Sequence, residues 1–257
     1  MTEKKIDTNT VLEVQNLFLS YGEYEVLKEI SFTTSRGKCL VVMGSSGCGK
    51  STLLKSMIGL LHPMSGKVLI DGIDIWEVKP DDMSSIMRKF GVLFQGGALW
   101  GAMNLIENVA LPLKLHTNLK DSEIDDLSKY KLNLVGLSGF EEFYPSQLSG
   151  GMKKRAGLAR AMSLDPDILF LDEPSAGLDP INSGRLDDLI NELKENLGIS
   201  FVVVTHELTS IFDIADDSIY LDGGTKTIID RGKPEFLRSS SSHEVVKHFL
   251  NRGGVGR

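Results

Sequence analysis

The glycine-rich segment 44–51 has the residue types and the spacing of a phosphate-binding loop. It follows the apolar run Cys39–Met43, it reads G-x-x-x-x-G-K-S, and leucines at helical spacing come after it. In a strand–turn–helix context the glycines let backbone N–H groups surround phosphates, and the helix N-terminus adds a favourable dipole. We expect Lys50 to contact the β- and γ-phosphates of a nucleotide, Ser51 to ligate Mg²⁺, and Thr52 to contact a phosphate oxygen. The other residues of the predicted cradle are Gly44, Ser45, Ser46, Gly47, Cys48 and Gly49.

A second apolar run, Ile168–Leu171, delivers two carboxylates, Asp172 and Glu173, to its carboxyl end. Ligands bind at this end of the strands in open α/β sheets. We expect Asp172 to hold Mg²⁺ directly or through water, and Glu173 to polarise an attacking water molecule. An acidic pair at this position is often only a solvated strand end, and the phosphate-binding loop is what favours catalysis here. The predicted reaction is phosphoryl transfer to water.

The segment Leu148–Met152, of sequence LSGGM, lies between these two motifs along the chain. The three motifs in this order resemble the ATP-binding cassette (ABC) family. The resemblance implies half of a two-ATP sandwich, in which LSGGM closes on the ATP held by a second copy of the chain. Ser149, Gly150 and Gly151 would begin a helix, and its free N–H groups and positive dipole end would meet the partner's γ-phosphate.

The same resemblance assigns roles to four further residues. Gln95 stands at the family's Q-loop, which joins the core to a helical subdomain and senses Mg²⁺ and the γ-phosphate. His206 matches the switch histidine that contacts the γ-phosphate, and Asp179 matches the D-loop that crosses the dimer interface. Tyr21 falls where the family places an aromatic ring against adenine, with Tyr24 close enough to take the same role.

Three segments narrow the resemblance to the MlaF-like subfamily: 94–100 (FQGGALW), 107–113 (ENVALPL) and 148–155 (LSGGMKKR). The subfamily implies a peripheral ATPase on the cytoplasmic side of the inner membrane. It would drive an integral-membrane permease dimer of the MlaE type that handles phospholipid or another hydrophobic substrate. An MCE-domain lipid-binding protein and, in some systems, a STAS-domain subunit complete the implied assembly.

Other functions remain open at this point. An ABC ATPase of a soluble-solute importer would share every core motif, although most such importers carry LSGGQ where this chain has Met152. A non-transport ABC ATPase usually shows a coiled-coil insertion, zinc-binding cysteines or two cassettes in tandem, none of which occurs in the sequence. A regulatory GTPase would need an Asn-Lys-x-Asp motif, which is also absent.

The overall composition is that of an ordinary soluble globular protein. The chain has 257 residues, of which 41% are hydrophobic and 25% charged, and its net charge is −7. A negative balance argues against nucleic acid as the partner. No apolar run approaches the ~20 residues that span a bilayer, and the polar segment 1–10 does not read as a signal peptide. We therefore expect a cytosolic chain whose membrane role depends on a partner.

Two groups of residues are expected to carry no special chemistry. The basic cluster Lys153-Lys154-Arg155 is interpreted as a solvated helix face. The two cysteines, Cys39 and Cys48, are too few for a disulfide framework or a zinc site and are interpreted as reduced thiols.

Strand and helix patterns place these motifs in an α/β fold. Strands are predicted at 11–14, 31–33, 39–43, 168–172 and 201–205, with a hairpin at 68–75. Helices are predicted at 53–61, over much of 104–165 with breaks at Pro112 and Pro145, at 186–197 before Gly198, and at 243–250. The serines 239–242 are predicted to form a flexible joint.

Strand–helix–strand order with apolar strands predicts a parallel sheet covered on both faces. The fold class that we expect is α/β, a P-loop NTPase (RecA-like) ABC ATPase core with an antiparallel β subdomain and a helical subdomain. The expected organisation is one ATP-binding domain at 11–237, a helical subdomain near 96–165, and a C-terminal extension with a short helix at 238–257.

Overall fold

A computed structural model of the chain describes residues 9–79 and 82–251. Within these ranges the chain forms two β-sheets with helices packed around them. Two segments discussed above, the polar segment 1–10 and the extension 238–257, fall partly outside the described residues, at 1–8 and 252–257.

In chain order the strands are β1 (Thr10–Tyr21), β2 (Tyr24–Ser35), β3 (Cys39–Met43), β4 (Ser65–Ile70), β5 (Ile73–Asp74), β6 (Phe90–Leu93), β7 (Ile168–Asp172), β8 (Ser200–Val204), β9 (Asp217–Asp222) and β10 (Thr227–Gly232). The helices are α1 (Lys50–Met57), α2 (Met83–Met87), α3 (Leu105–His116), α4 (Asp121–Leu134), α5 (Gly150–Ala161), α6 (Pro180–Leu197), α7 (Leu208–Ile214), α8 (Pro234–Ser240) and α9 (Glu244–Asn251).

The larger sheet has the strand order β10-β9-β3-β8-β7-β6, and only its β9–β10 pair is antiparallel. Every residue of β3 and β8 is buried, as are the four apolar residues of β7. Parallel strands covered on both faces need such continuous apolar runs. The strands predicted at 39–43, 168–172 and 201–205 are confirmed, the last shifted slightly toward the N-terminus.

The smaller sheet is antiparallel, in the order β2-β1-β4-β5. Its apolar face joins α1 and one face of the larger sheet in a single core cluster. The strands predicted at 11–14 and 31–33 extend into the longer β1 and β2, and the hairpin predicted at 68–75 is confirmed by the pairing of Ile70 with Ile73.

Helix α1 is shorter than the predicted helix at 53–61. It ends at Met57, because the chain turns back at Gly59, whose φ is 79°. The amides of Leu60 and Leu61 then bind the carbonyl of Lys55, at 2.8 and 3.1 Å. This wrap-around satisfies a carbonyl that the helix end would otherwise leave open.

Pro112 does not break the helical region as predicted, since it lies inside α3. Asn104 starts this helix with a capping box to Glu107. Leu105 and Val109 are fully buried in the core cluster that contains α5. Burial and capping outweigh the single backbone hydrogen bond that proline removes. The break predicted at Pro145 is confirmed as a turn of 3₁₀ helix, Pro145–Gln147.

The interpretation of residues 153–155 as a solvated helix face is wrong. Lys154 is 6% exposed, and Lys153 and Arg155 are half-buried. The Arg155 guanidinium donates to the carbonyls of Val135 and Gly136, at 3.1 and 3.4 Å. Helix α5 packs against the sheet and against α3, α4 and α6, so Lys154 and Arg155 end on backbone carbonyls instead of in water.

The C-terminal part follows the predictions with one correction. Helix α6 ends at Gly198, which has a φ of 68°, as predicted. The flexible joint predicted at the serines 239–242 is wrong for most of its length. Helix α8 extends to Ser240, and Ser241 is buried and donates its hydroxyl to Asp230. Helix α9 then packs its Phe249 ring edge-on against Tyr220.

A buried polar network holds α6 to α7 beneath the carboxyl edge of the sheet. The Ser210 hydroxyl donates to Asp187 Oδ2 at 2.7 Å and lies 3.2 Å from the Ser175 hydroxyl. Asp187 Oδ1 has no hydrogen-bond partner among the described residues. Burial raises the pKa of the Asp187 carboxyl to about 6, while the bond from Ser210 acts in the opposite direction.

Replacing Asp187 by asparagine is expected to stabilise the fold near neutral pH. The native pKa lies above the ordinary value of 3.8, so the native state retains a proton that the unfolded state has lost, and stability falls as pH rises from about 4 to 6. Asp187→Asn removes this penalty. Denaturant unfolding at pH 7.5 should show a gain of about 2 kcal/mol, which shrinks toward zero near pH 4.

The matched control is Asp188→Asn, because Asp188 is exposed on the same helix. It should change the free energy of unfolding by less than about 0.5 kcal/mol at either pH. Equal effects of the two substitutions would contradict the burial of a costly charge at Asp187.

Candidate functional site

The phosphate-binding loop connects β3 to α1 in a shape that depends on glycine. Gly44, Gly47 and Gly49 have φ values of 151°, 79° and 104°. A Cβ atom on Gly44 would overlap the carbonyl oxygen of Leu221 and would lie 2.8 Å from Cys48 Sγ. The chain can therefore make this turn only with a residue that lacks a side chain at its start.

Lys50 stands at the first position of α1 and points its ammonium group back over the loop. Its Nζ donates to the carbonyls of Gly44 and Ser45, at 2.9 and 3.1 Å, and the residue is 8% exposed. Ser45, Ser46 and Gly47 are exposed. A buried cation thus lies behind a loop whose outer surface is open to solvent.

Ser51 and Asp172 meet across the gap between α1 and β7. The Ser51 hydroxyl donates to Asp172 Oδ1 at 3.4 Å. Burial, and after it the neighbouring Glu173 carboxylate, raise the pKa of Asp172, while the bond from Ser51 lowers it. A cation at this position would relieve the desolvation of the carboxylate.

Glu173 and His206 form a close polar pair at the centre of the site. His206 Nδ1 lies 2.8 Å from Glu173 Oε1. The Glu173 backbone is left-handed, with a φ of 48°, and its amide donates to the carbonyl of Val204 at 2.8 Å. Glu173 Oε2 is buried and has no hydrogen-bond partner among the described residues. A carboxylate oxygen in this condition is suited to accept a proton from a ligand or a water molecule.

The donor set fits Mg²⁺ better than a metal held by protein alone. Across residues 9–79 and 82–251, no group of three or more His, Cys, Asp or Glu side chains could hold a metal ion. Mg²⁺ commonly takes one or two protein ligands and completes its shell with substrate phosphates and water. Ser51 and Asp172, whose side chains meet between α1 and β7, fit that requirement.

The LSGGM segment begins α5, as predicted, and lies beside the D-loop of the same chain. Ser149 caps the helix, accepting from the Met152 amide at 3.3 Å. A Cβ added to Gly151 would lie 3.4 Å from Asn182, whose amide donates to Asp179 at 2.6 Å. Within the described residues no hydrogen bond or ion pair joins Ser149–Gly151 to the phosphate loop.

The remaining predicted residues lie around this centre. Gln95 is exposed just beyond the carboxyl end of β6, and its side-chain amide has no hydrogen bond within the described part of the chain. Tyr21 and Tyr24 are both exposed at the β1–β2 turn, and the Lys226 ammonium lies 5.2 Å above the Tyr24 ring. Among the described residues no cation lies over the Tyr21 ring, which favours Tyr21 as the stacking surface.

Asp179 caps α6 and is exposed. Its Oδ1 accepts from the amides of Ile181 and Asn182, each at 3.1 Å. Hydrogen bonds from Asn182 hold the pKa of the Asp179 carboxyl below its usual value, so this carboxylate is charged at neutral pH.

Cys48 is buried inside the loop, and Cys39 is buried in β3. Burial raises the pKa of the Cys48 thiol, and burial is also the main cause that raises the pKa of Cys39. Both thiols are protonated at neutral pH, which agrees with the interpretation of reduced, unreactive cysteines.

Sequence reasoning missed Lys154 as a part of the site. Its ammonium donates to the carbonyl of Gln95 and, at 3.1 Å, to the carbonyl of Glu173. Burial lowers the pKa of Lys154, and the carboxylates of Asp172 and Glu173 counter that shift. The sequence does contain a pattern that places Lys154 on the buried face of α5. Gly151, Lys154 and Leu158 have the i, i+3, i+7 spacing of one helix face, and in the structure all three are buried.

Among residues 9–79 and 82–251, no helix is both long and apolar enough to span a lipid bilayer.

The sequence of this chain is similar to proteins of one family. The family model described as "ABC transporter" matches residues 27–176. The "Probable ribonucleotide transport ATP-binding protein mkl" of Mycobacterium tuberculosis is 43% identical over 95% of this chain and 67% of its own length. The "Intermembrane phospholipid transport system ATP-binding protein MlaF" of Escherichia coli is 38% identical over 94% of this chain and 88% of its own length.

Solved structures agree with that family. The dimeric post-hydrolysis state of the ATP-binding cassette MJ0796 with ADP and Pi has a TM-score of 0.77 at 30% identity, covering 86% of this chain and 98% of that one. The cbiO1 protein of Clostridium perfringens, part of the ABC transporter complex cbiONQ, has a TM-score of 0.82 at 27% identity, covering 95% of both chains. The predicted P-loop α/β fold is confirmed.

Glu173→Gln is expected to separate ATP binding from ATP hydrolysis. The amide keeps the shape of the side chain but accepts no proton from water. We expect ATP binding to be retained, kcat to fall about 100-fold or more, and an ATP-bound dimer to accumulate. Phosphate release and size-exclusion chromatography with ATP measure these effects.

The control for this substitution is Glu195→Gln, on the exposed face of α6, which should keep wild-type turnover. Hydrolysis at the wild-type rate by Glu173→Gln would remove Glu173 from the proposed role.

Lys50→Ala is expected to weaken ATP binding. The substitution deletes a charge-assisted donor to phosphate oxygens, which corresponds to about 10- to 100-fold in Kd. Calorimetric titration with ATP measures the change, and Lys114→Ala, at an exposed lysine of α3, is the control. Equal ATP affinity of the two variants would contradict the assignment of the loop.

Proposed function

The chain belongs to the ABC transporter family, and from that premise we propose that it is the ATP-hydrolysing subunit of a transporter for phospholipid or another hydrophobic substrate. The observation that carries the ATPase assignment is the convergence of residues from three elements on one edge of the sheet. Lys50 and Ser51 come from α1, Asp172 ends β7 with Glu173 directly after it, and His206 follows β8. The 2.8 Å contact between Glu173 and His206 aligns the proposed base.

Hydrolysis proceeds by attack of water on the γ-phosphorus. Glu173 takes a proton from that water as the new P–O bond forms, the bond to ADP breaks, and phosphate leaves. Lys50 and the loop amides stabilise the negative charge on the phosphate oxygens. His206 contacts Glu173 through Nδ1, and its other ring nitrogen is the group that we propose contacts a γ-phosphate oxygen.

Mg²⁺, held by Ser51, by Asp172 directly or through water, and by the Gln95 amide, would neutralise charge on the β- and γ-phosphates. Thr52 contacts a phosphate oxygen, and the ring of Tyr21 stacks on adenine.

Each site is completed by a second copy of the chain. Ser149 and Gly150 are exposed at the N-terminus of α5, and the buried Gly151 follows them in its first turn. A helix N-terminus of this kind favours an anion. The γ-phosphate of the partner's ATP is the anion that we propose, and Asp179 lies beside the same interface. The dimeric ATP-binding cassette among the similar structures supports this arrangement. We assign the ATP-binding domain to residues 11–237 and the helical subdomain to 96–165.

The cargo and the further partners are proposed from similarity. The MlaF proteins at 38% identity are described as parts of intermembrane phospholipid transport systems. The proposed assembly joins two copies of this chain to a permease dimer of the MlaE type at the inner face of the cell membrane, with an MCE-domain protein and, in some systems, a STAS-domain subunit. The mkl proteins, described as ribonucleotide transport subunits, make a ribonucleotide the second candidate cargo.

Purification of the intact assembly tests this proposal. The tagged chain is expressed in its native cell, membranes are solubilised in mild detergent, and co-purifying proteins and small molecules are identified by mass spectrometry. We expect a multi-span permease, an MCE-domain protein and retained phospholipid. The purified assembly should also hydrolyse ATP, and the same assembly carrying Glu173→Gln should not.

A permease that retains ribonucleotide without phospholipid would replace the lipid cargo and leave the ATPase assignment intact. The absence of any membrane partner from a chain that still hydrolyses ATP would overturn the transport proposal.

A further inference from the structure

The ammonium group of Lys154 closes the gap between the ends of two neighbouring strands. Strands β6 and β7 lie side by side in the sheet. Gln95 follows the end of β6, Glu173 follows the end of β7, and the carbonyls of both accept from Lys154. One side chain of α5 therefore binds the backbone of the proposed Q-loop and that of the proposed catalytic base together.

The position is costly for a lysine. The residue is 6% exposed, and desolvation disfavours a charged amine. Carbonyl acceptors and the nearby carboxylates of Asp172 and Glu173 compensate this cost. A lysine that served only to fill space here would be replaceable by an apolar side chain of similar length, since cores accept volume-conserving changes.

One of the two carbonyls that Lys154 binds belongs to Glu173, a residue with a strained backbone. Glu173 has a φ of 48°, in the left-handed region that residues with a side chain seldom adopt. Its amide is tied to Val204 and its carbonyl to Lys154. With both ends of the residue fixed, the side chain is directed toward His206.

Lys154 also lies on the helix whose N-terminus is exposed for the partner's nucleotide. Ser149 caps α5, and Lys154 lies in the second turn of that helix. Gly151 and Lys154 lie on the same face of α5, because they are three positions apart along the helix. A shift of the helix N-terminus is therefore carried directly to the ammonium group.

We propose that Lys154 is a positioning residue that couples the two ATP sites of the dimer. When Ser149–Gly151 of one chain contacts the ATP bound by its partner, Lys154 of that chain transmits the contact to the backbones of Gln95 and Glu173 in the same chain. Closure of α5 onto the partner's nucleotide then sets the geometry of the base that hydrolyses the chain's own nucleotide. The inference rests on the proposed roles of Glu173 and Ser149–Gly151.

The experiment compares Lys154→Met with Lys153→Met. Methionine keeps the length of the lysine side chain and removes its donors. Lys153 is half-buried beside Lys154 and its ammonium makes no hydrogen bond or ion pair among the described residues, so it is the matched control. Steady-state ATPase rates over a range of ATP concentrations give kcat, KM and the Hill coefficient, and calorimetry gives the ATP Kd.

For Lys154→Met we expect kcat to fall about 10- to 100-fold, as for a misplaced catalytic group, with ATP Kd within about 2-fold of wild type. The Hill coefficient should fall toward 1 from a wild-type value between 1 and the limit of 2 set by two sites. Lys154→Arg, which retains charged donors, should recover part of kcat. Lys153→Met should match wild type in every quantity.

A double substitution separates positioning from a general loss of structure. If Lys154 acts through Glu173, adding Lys154→Met to Glu173→Gln should produce little further loss of kcat. Should Lys154→Met not fold, Lys154→Gln tests the same claim, because its shorter neutral amide does not reach both carbonyls.

The inference is overturned by unchanged kcat and Hill coefficient in a folded Lys154→Met protein, by a non-cooperative wild type, or by parallel losses of kcat, ATP affinity and thermal stability. Failure of the proposed site would look different, since Glu173→Gln would then keep its turnover.

Discussion

The structure depends on holding charged groups of opposite sign at one largely desolvated edge of a sheet. Lys50 and Lys154 are buried cations, and Asp172 and Glu173 are carboxylates with little exposure. None of these charges would be stable there alone, because burial without partners costs several kcal/mol. Each cation is held by backbone carbonyls and each carboxylate by a hydroxyl or an imidazole. The arrangement leaves one oxygen of Glu173 unpartnered among the described residues, and this is the oxygen that the proposed reaction uses as the proton acceptor.

Close packing of α5 against β6 makes such an edge possible. A Cβ atom on Gly91 of β6 would overlap the carbonyl oxygen of Ala161, and one on Gly157 of α5 would lie 2.7 Å from Leu93. Only glycine allows the helix and the strand to approach so closely. The short separation brings Lys154 within reach of two strand ends. It also leaves α5 and β6 in close-packed contact.

The sequence predicted the elements whose pattern is local and failed where tertiary contacts decide. Strand β7 was predicted with its observed bounds because an unbroken apolar run ends in two carboxylates. Pro112 was expected to break a helix, but burial of Leu105 and Val109 outweighs one lost hydrogen bond. The Lys154 cation was expected in solvent, because charge predicts exposure and its carbonyl partners lie far away along the chain. The contact between Glu173 and His206 could not be predicted either, because the sequence pattern of each segment carries no information about the distance between the two side chains.

The geometry of one chain explains why the proposed ATP site needs two chains. Ser149 and Gly150 are exposed at the N-terminus of α5, where amide groups lack helical partners and the dipole favours an anion. Within the described residues these groups make no bond to the chain's own phosphate loop, so that loop does not neutralise them. A nucleotide bound by a second copy can do so, and it then contributes binding free energy to both chains at once. ATP that joins the chains in this way stabilises the dimer, and its hydrolysis removes the γ-phosphate on which that stabilisation depends. In the proposed cycle the reaction that uses the Glu173 carboxylate therefore also releases the helix N-terminus, and opening of the dimer needs no separate signal.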